Sequence, residues 1–207
     1  MNLYRHWGKR VLDLSVLLVM SPFVIPIAVV AALAVRLQMG GPVFFRQLRP
    51  GYEAKPFTLL KFRTMNSTRD EEGNLLSDEK RLTKLGARLR RYSMDEIPQL
   101  LNVLKGEMSF VGPRPLLMEY LSMYTKAEAR RHEVKPGITG WAQIHGRNSL
   151  SWEARFAFDL WYVDHWGLGV DAGILFQTIW QVIMRKNIAH DGHATMPAFT
   201  RRGPIEP

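Results

Sequence analysis

Two adjacent carboxylates lie among arginines in the stretch 90–115, RRYSMDEIPQLLNVLKGEMSFVGPRP. Asp95 and Glu96 follow shortly after Arg90, and Arg114 lies in the Gly-Pro-Arg-Pro turn that ends the stretch. Arginine suits phosphate groups because its planar guanidinium can donate two parallel hydrogen bonds. A carboxylate that attacks a phosphoryl group meets like-charge repulsion, so such a site needs arginines and usually Mg²⁺, which binds carboxylate and phosphate oxygens. The pattern therefore indicates phosphoryl-transfer chemistry.

A structural role for the same carboxylates is equally compatible with the local sequence. Residues 93–96 read Ser-x-x-Glu, a capping box, and acidic residues in a first turn favour the positive end of a helix. Pro98 fits poorly inside such a helix and better as the first residue of a helix that begins there. In that second register Asp95 and Glu96 precede the helix and are free for chemistry. Both alternatives stay open at this point.

Further basic residues come earlier in the chain. Lys61 and Arg63 lie in a segment, residues 42–65, that reads as two short strands around a Pro50-Gly51 turn. A single basic residue is more often a solvated surface charge than a ligand. It is the grouping of these residues with the arginines near Asp95 that favours a phosphate site.

The composition is strongly basic, since the 207 residues carry a formal net charge of +9. Nucleic acid, an anionic membrane surface and phosphorylated substrates are the partners that such a charge favours. The chain has no cysteine, which excludes disulfides and thiolate zinc sites. P-loop, Rossmann, nucleophile-elbow and zincin motifs are absent, and no helix-turn-helix, zinc-finger or RNP pattern supports a nucleic-acid partner.

An apolar run occupies residues 11–35, and as a straight helix it would measure ~37 Å, enough to cross a hydrocarbon core. Two prolines, Pro22 and Pro26, fall near its middle, where each removes a backbone donor. Ser21 could donate its hydroxyl to the carbonyl that is freed. Basic residues, which mark the cytoplasmic side, flank both ends. These features favour a re-entrant helix broken at Ser21-Pro22, and a kinked spanning helix is the alternative.

The rest of the chain reads as an α/β domain that is mostly helical. Helices are predicted over residues 81–92, 99–105, 116–131, 151–166 and 171–186. The last of these carries an apolar stripe of Leu175, Ile179, Val182 and Ile183, which indicates either core packing or a helix that lies in the membrane interface. The composition changes after the apolar run, so two units are expected: residues 1–36 in the membrane and residues 37–207 as a catalytic domain.

Three motifs occur in a specific order and spacing: Asp-Glu-x-Pro-Gln at 95–99, Lys-Gly-x-Met-Ser-Phe-x-Gly-Pro-Arg-Pro at 105–115, and Pro-Gly-Ile-Thr-Gly at 136–140. On these motifs the chain resembles the bacterial sugar transferases, the monotopic polyprenyl-phosphate phosphoglycosyl transferases, from Lys9-Arg10 nearly to the C-terminus. It is similar in particular to members that start glycoprotein glycan assembly with a diacetylated bacillosamine phosphate.

The resemblance implies a reaction at the cytoplasmic face of the bacterial inner membrane. A UDP-sugar, expected to be N-acetylated, would donate its sugar 1-phosphate to undecaprenyl phosphate and release UMP. The family's membrane segment is a re-entrant helix broken at Ser-Pro, matching Ser21-Pro22, so contact with phospholipids is expected. A basic membrane-associated scaffold or a nucleic-acid-binding protein is the non-enzymatic alternative, although the motifs give no support for nucleic acid.

The resemblance also implies roles for particular residues. Asp95 would be the nucleophile, forming a covalent phosphosugar intermediate, and would contact Mg²⁺. Glu96 would assist with protons or with the metal. The remaining substrate-binding residues of the family correspond here to Lys61, Arg90, Arg114, Gln143 and Arg147.

Overall fold

A computed structural model describes residues 3–146, 149–184 and 199 of the chain. The fold is mostly helical with two short two-stranded sheets in the described part of the chain, and it begins with a long apolar helix. This confirms the predicted α/β, mainly helical class. The predicted binding residue Arg147 lies outside the described residues.

The N-terminal helix, α1, spans Lys9–Met39 and follows a π-helical turn, Tyr4–Gly8. It is continuous through Pro22 and Pro26, so the predicted break at Ser21-Pro22 does not occur as a loss of helical structure. The reason is local: Ser21 Oγ donates to Leu18 O at 2.8 Å, the carbonyl that Pro22 leaves without its backbone donor. Among the described residues, one helical segment, Tyr4–Met39, is long and apolar enough to cross a membrane by length and composition.

A β-hairpin follows, as the sequence predicts. Strand β1, Phe44–Pro50, pairs antiparallel with β2, Pro56–Phe62, across a loop that begins at Gly51. Two short helices come next: α2, Asp78–Arg81, and α3, Lys84–Arg91. A 3₁₀ turn then connects α3 to α4, Gln99–Lys105, whose bounds agree with the prediction.

The prediction of a single helix over residues 116–131 is wrong. The structure has three short pieces there: a 3₁₀ helix at Met118–Met123, α5 at Lys126–Ala129 and a second 3₁₀ helix at Arg130–Glu133. The Thr125 hydroxyl accepts from Glu128 N and the Glu128 carboxylate accepts from Thr125 N, a capping box that starts a new helix. Because a helix cap needs extended backbone, the earlier turn must end before Thr125.

Two three-residue strands, β3 at Ser109–Val111 and β4 at Gly137–Thr139, form a parallel pair that the sequence patterns did not predict. The glycine-rich ends of these strands lie backbone to backbone: a Cβ on Gly112 would stand 2.3 Å from Lys135 O, and one on Gly140 would stand 2.2 Å from Gly112 O. The glycines of the GPRP and PGITG segments therefore allow the two loops to touch.

Three helices complete the domain: α6, Trp141–His145; α7, Trp152–His165; and α8, Leu168–Ile183. Helix α8 packs on the core through Asp171 and Ile174, both fully buried. Its large apolar side chains Phe176, Ile179, Trp180 and Val182 are at least half exposed. Core packing therefore does not account for these side chains.

Candidate active site

The two carboxylates lie in the 3₁₀ turn Met94–Glu96, between α3 and α4. Ser93, just before the turn, has a left-handed backbone (φ 53°, ψ 21°) and its hydroxyl makes no capping bond. The capping-box alternative for Ser93 and Glu96 is therefore wrong. The left-handed residue ends α3 abruptly, and both carboxylates are left available for contacts elsewhere.

Glu96 binds two cations from different parts of the chain. Its Oε1 lies 2.6 Å from Lys61 Nζ, on β2, and 2.5 Å from Arg114 Nη2, in the GPRP turn. The Glu96 side chain is 16% exposed, whereas those of Lys61 and Arg114 are 21% and 38% exposed. The structure thus brings together three residues that are far apart in sequence, as the sequence analysis expected.

These contacts determine the ionisation of Glu96. Burial raises the pKa of the carboxyl, but the charges of Arg114 and Lys61 and their hydrogen bonds outweigh it and hold the pKa well below its usual range. Glu96 in turn raises the pKa of Arg114. A carboxylate this acidic stays ionised at neutral pH, which argues against a role as a proton carrier.

Asp95 has the opposite environment. Its residue is 8% exposed, and its carboxylate has no hydrogen-bond or ion-pair partner in the part of the chain that the structure describes. Burial raises its pKa, Lys61, Arg90 and Arg114 lower it, and the neighbouring Glu96 raises it further. Asp95 is therefore a buried carboxyl that lies near three cations, and its oxygens make no hydrogen bond to the described part of the protein.

Arg90 reaches the site from the last turn of α3. Its Nε donates to Thr64 Oγ1 at 3.1 Å, which leaves the two terminal nitrogens of the guanidinium for an anion. Helix α3 lies very close to this residue, because a Cβ on Gly86 would stand 1.9 Å from Thr64 O. Sequence reasoning missed both Thr64 and Gly86, since no motif marks a glycine that lets a helix approach a strand end.

Lys61 is held in register by a buried asparagine that sequence reasoning also missed. Asn102, on α4, is fully buried and accepts from Leu60 N at 3.1 Å, while its Nδ2 donates to Thr58 O at 2.8 Å. These bonds fix α4 to the outer edge of β2. An asparagine among the apolar residues of QLLNVLK is the signal that could have revealed it.

Arg114 is positioned through its backbone. Arg131 Nη2 donates to Arg114 O at 2.8 Å and pairs with Asp159 Oδ2 at 2.6 Å, and the Arg131 and Asp159 side chains are almost completely buried. Asp159 lies on α7, so this ion pair fixes the GPRP turn to that helix. Neither residue was among those predicted.

Gln143 lies next to the GPRP turn but does not contact the carboxylates. Its Nε2 is 3.5 Å from Gly112 O, and its Oε1 is buried without a partner among the described residues. A buried amide oxygen of this kind is available to a donor group of a ligand.

The oxygen atoms present suit one hard cation. The described residues contain no group of three or more His, Cys, Asp or Glu side chains that could hold a metal without help. Mg²⁺ commonly binds one or two carboxylates and completes its shell with substrate phosphates and water. Because Glu96 is committed to Lys61 and Arg114, Asp95 is the carboxylate whose oxygens fit such an ion.

Comparison with known proteins agrees with these features. A family model described as "Bacterial sugar transferase" matches residues 4–185. The chain is 54% identical over 197 residues to "Uncharacterized sugar transferase EpsL" of Bacillus subtilis (strain 168), with 95% of this chain and 98% of that protein covered. It is 38% identical over 189 residues to "Exopolysaccharide production protein ExoY" of Rhizobium meliloti (strain 1021), with 83% and 84% covered.

A longer relative has a reaction in its name. The chain is 39% identical over 188 residues to the "UDP-glucose:undecaprenyl-phosphate glucose-1-phosphate transferase" of Escherichia coli (strain K12). The match covers 86% of this chain and 40% of that protein.

Proposed function

The chain belongs to the bacterial sugar transferase family and is a phosphoglycosyl transferase, and from this premise we propose that it transfers a sugar 1-phosphate from a UDP-sugar to undecaprenyl phosphate. The products are UMP and the undecaprenyl-diphosphate-linked sugar. The observation that carries the proposal is the pair of neighbouring carboxylates in opposite states: Asp95 uncommitted, Glu96 bound to two cations.

In the first step an oxygen of the Asp95 carboxylate attacks the phosphorus that bears the sugar. A bond forms between Asp95 and that phosphorus, and the bond to the UMP oxygen breaks, so UMP leaves with its electron pair. The product is a phosphosugar joined to Asp95 as an acyl phosphate. The raised pKa of Asp95 increases the basicity of the attacking oxygen, while the cations around it offset its repulsion from the diphosphate.

In the second step a phosphate oxygen of undecaprenyl phosphate attacks the same phosphorus. The acyl phosphate bond breaks and the Asp95 carboxylate is restored. Both nucleophiles are anions and both leaving groups depart as anions, so neither step needs a proton transfer. This agrees with a Glu96 that stays ionised and serves to position Lys61 and Arg114 against the phosphate oxygens.

We infer that Mg²⁺ is bound by Asp95 together with the donor diphosphate. When bound, it would supply positive charge to the phosphate oxygens during the transfer. Arg90 and Arg114 contribute charge at the same place, and Gln143 offers an amide oxygen beside the GPRP turn.

We infer that α1 follows a re-entrant path with the domain on the cytoplasmic face, and the attachment of both ends of α1 to the domain supports the re-entrant part. At its start, Arg10 donates to Val103 O and Leu104 O. At its end, Arg63 donates to Met39 O and Gly41 O. Both ends thus bind the same domain, whereas side chains midway such as Leu18 and Phe23 are 74% exposed. A helix that enters and leaves one leaflet satisfies these contacts, and the exposed face of α8 suits the same phospholipid surface.

The absence of native cysteine allows a clean topology test. We expect Leu3→Cys and Gln38→Cys, both at exposed positions, to resist a membrane-impermeant thiol reagent in sealed cells and to react in inverted vesicles. Labelling of Leu3→Cys from outside would establish a spanning helix instead.

The identity of the transferred sugar is a separate part of the proposal. The motifs suggest an N-acetylated sugar, whereas the relative in Escherichia coli is named for glucose. UDP-glucose and UDP-N-acetylated sugars therefore belong in one donor panel.

UMP release tests the function directly. Purified protein is mixed with undecaprenyl phosphate and each donor, with Mg²⁺ or with EDTA. We expect UMP from one class of donor, loss with EDTA, recovery with added Mg²⁺, and a fall of at least about 1,000-fold in Asp95→Asn. A phosphosugar adduct on Asp95 in the absence of acceptor is expected by mass spectrometry. Undiminished turnover by Asp95→Asn would overturn the covalent mechanism.

A further inference from the structure

An apolar groove separates the second half of α1 from α3 and the turn that follows it. Its volume is about 510 Å³, within the range of ~300–1,000 Å³ that is common for small-molecule sites. Val30 and Ala34 line one side, and Leu89, Tyr92 and Met94 line the other. The lining is almost wholly apolar, so the groove suits a hydrocarbon.

One end of this groove is next to the nucleophile. Met94, in its wall, directly precedes Asp95 in the 3₁₀ turn. Helix α3, which supplies Leu89 to the wall, also carries Arg90 into the active site. A molecule that lies in the groove therefore has its end within reach of the place where phosphoryl transfer occurs.

The charge around the groove indicates an anionic amphiphile. Arg88 is part of the lining, and α3 carries further basic residues at Lys84, Arg90 and Arg91. The other wall belongs to α1, whose Val30 and Leu33 are 67% and 57% exposed. The groove thus joins an apolar helix to a cationic region, as a ligand with a long hydrocarbon chain and a phosphate head requires.

We propose that this groove binds the first isoprene units of the polyprenyl chain of the acceptor and directs its phosphate to Asp95. The inference rests on the proposed function, and it adds the subsite that selects the acceptor. A phosphate carried by a membrane-bound chain must reach a buried carboxylate, and the groove is a continuous apolar path from α1 to the turn that holds Asp95. Arg88 in the lining and Arg90 on the same helix match the phosphate head of the acceptor, and the crosslinking experiment below distinguishes it from a phospholipid.

Two neighbouring valines give a matched test. Val30 lines the groove, while Val29 does not, and both are more than half exposed on the same helix. We expect Val30→Trp to fill the groove and raise the KM for undecaprenyl phosphate about tenfold, equivalent to ~1.4 kcal/mol. Val29→Trp should leave it unchanged. Ala34→Leu, a smaller change in the groove wall, should raise KM in the same direction and less.

Chain length separates a binding role from a structural one. With the wild type, undecaprenyl phosphate should have a lower KM than a ten-carbon isoprenyl phosphate, and Val30→Trp should shrink that difference. The burst of UMP released without acceptor reports the donor site, and in both groove variants it should match the wild type. Equal KM values in Val30→Trp and Val29→Trp, or an unchanged chain-length preference in both groove variants, would overturn the groove assignment while the transferase reaction stands.

A direct binding measurement makes the inference independent of turnover. An undecaprenyl-phosphate analogue with a diazirine near its phosphate is irradiated with the full-length protein in lipid nanodiscs. We expect crosslinks at Tyr92 or Met94, the lining residues nearest Asp95 in the chain, competed by undecaprenyl phosphate and not by phosphatidylglycerol. Competition by phosphatidylglycerol alone would identify the groove as a phospholipid site and overturn the inference. Failure of the wild type to release UMP from any donor would instead count against the proposed function, and the crosslinks would still decide the groove.

Discussion

Glu96 in the active site and Asp171 beneath the start of α1 each pair with a lysine, but their remaining partners differ. Glu96 binds Lys61 and Arg114. Asp171 Oδ2 accepts from Lys9 Nζ at 2.7 Å and from Tyr4 Oη at 2.5 Å, and its Oδ1 accepts from Tyr162 Oη at 2.7 Å. Each carboxylate joins segments that are distant in sequence, and each has a second carboxylate near it: Asp95 precedes Glu96, and Asp13 lies near Asp171.

The two regions differ in the charged groups that they leave without a partner in the protein. At Asp171 one cation and two hydroxyls contact the fully buried carboxylate, and the nearby Asp13 accepts from Ser109 Oγ and Phe110 N, so both carboxylates of this region have partners within the protein. In the active site, Asp95 has no partner among the described residues, and the terminal nitrogens of Arg90 make no hydrogen bond with that part of the chain. Buried charged groups that all have partners within the protein stabilise the fold. A site in which a carboxylate and a guanidinium still lack partners is suited to bind phosphate and to react with it.

The largest effect on stability is expected from Asp171→Asn. The amide keeps the shape of the side chain but leaves the largely buried Lys9 without its ion-pair partner, so the free energy of unfolding should fall by about 3–5 kcal/mol. Chemical unfolding in detergent measures this change. The double variant Lys9→Met/Asp171→Asn, which removes both charges, should recover part of the loss. A decrease in the free energy of unfolding below about 1 kcal/mol would contradict the view that the buried charges around Asp171 stabilise the fold.

Glu96→Gln should have a smaller effect on stability and a large one on the reaction. Lys61 and Arg114 remain partly exposed, so solvent compensates part of the lost pairing. Both cations lose their fixed positions against the substrate phosphates, and kcat/KM should fall about 100–1,000-fold. UMP release measures kcat/KM, and the unfolding curve is the control. An activity loss no greater than that of Asp171→Asn would remove the distinction between the two regions.

The pH dependence tests the state of Asp95. As the proposed nucleophile, Asp95 must be ionised, and burial raises its pKa, so kcat/KM should decline as the pH falls through a value above the usual range for aspartate. Lys61 is the cation that lowers this pKa most. Lys61→Met should therefore move the acid limb of the profile to higher pH. Lys55→Met, in an exposed side chain just before the same strand, should leave the limb in place. Movement of the limb to lower pH in Lys61→Met would be inconsistent with this assignment.

The contrast between the regions also shows what the sequence could reveal. The hairpin around Pro50-Gly51 and helix α4 were predictable because turn residues and apolar periodicity are local signals. The grouping of Lys61, Glu96 and Arg114 was predicted from the basic residues around the carboxylates and from the family resemblance, and these three side chains meet in the structure. The prediction of one helix over residues 116–131 was wrong because a capping box within that range starts a new helix.

The supporting contacts were beyond reach of the sequence for a different reason. Arg131 with Asp159, and Asn102 with β2, are long-range pairings whose partners carry no shared local pattern. Asp171 was predicted only as the start of a helix, although its carboxylate fixes α1 to the domain. Local patterns indicate which elements form, whereas the balance of buried charge depends on how those elements pack.

The smallest effects are expected from the removal of a single hydroxyl in each region. Tyr4→Phe leaves Asp171 with Lys9 and Tyr162, and Thr64→Val removes the acceptor of Arg90 Nε with little change in shape. Each should lower the free energy of unfolding by about 1 kcal/mol. Only Thr64→Val should also lower kcat/KM, by several fold, because Arg90 then loses its fixed orientation toward the phosphates. Equal activity in the two variants would show that Arg90 needs no support from Thr64.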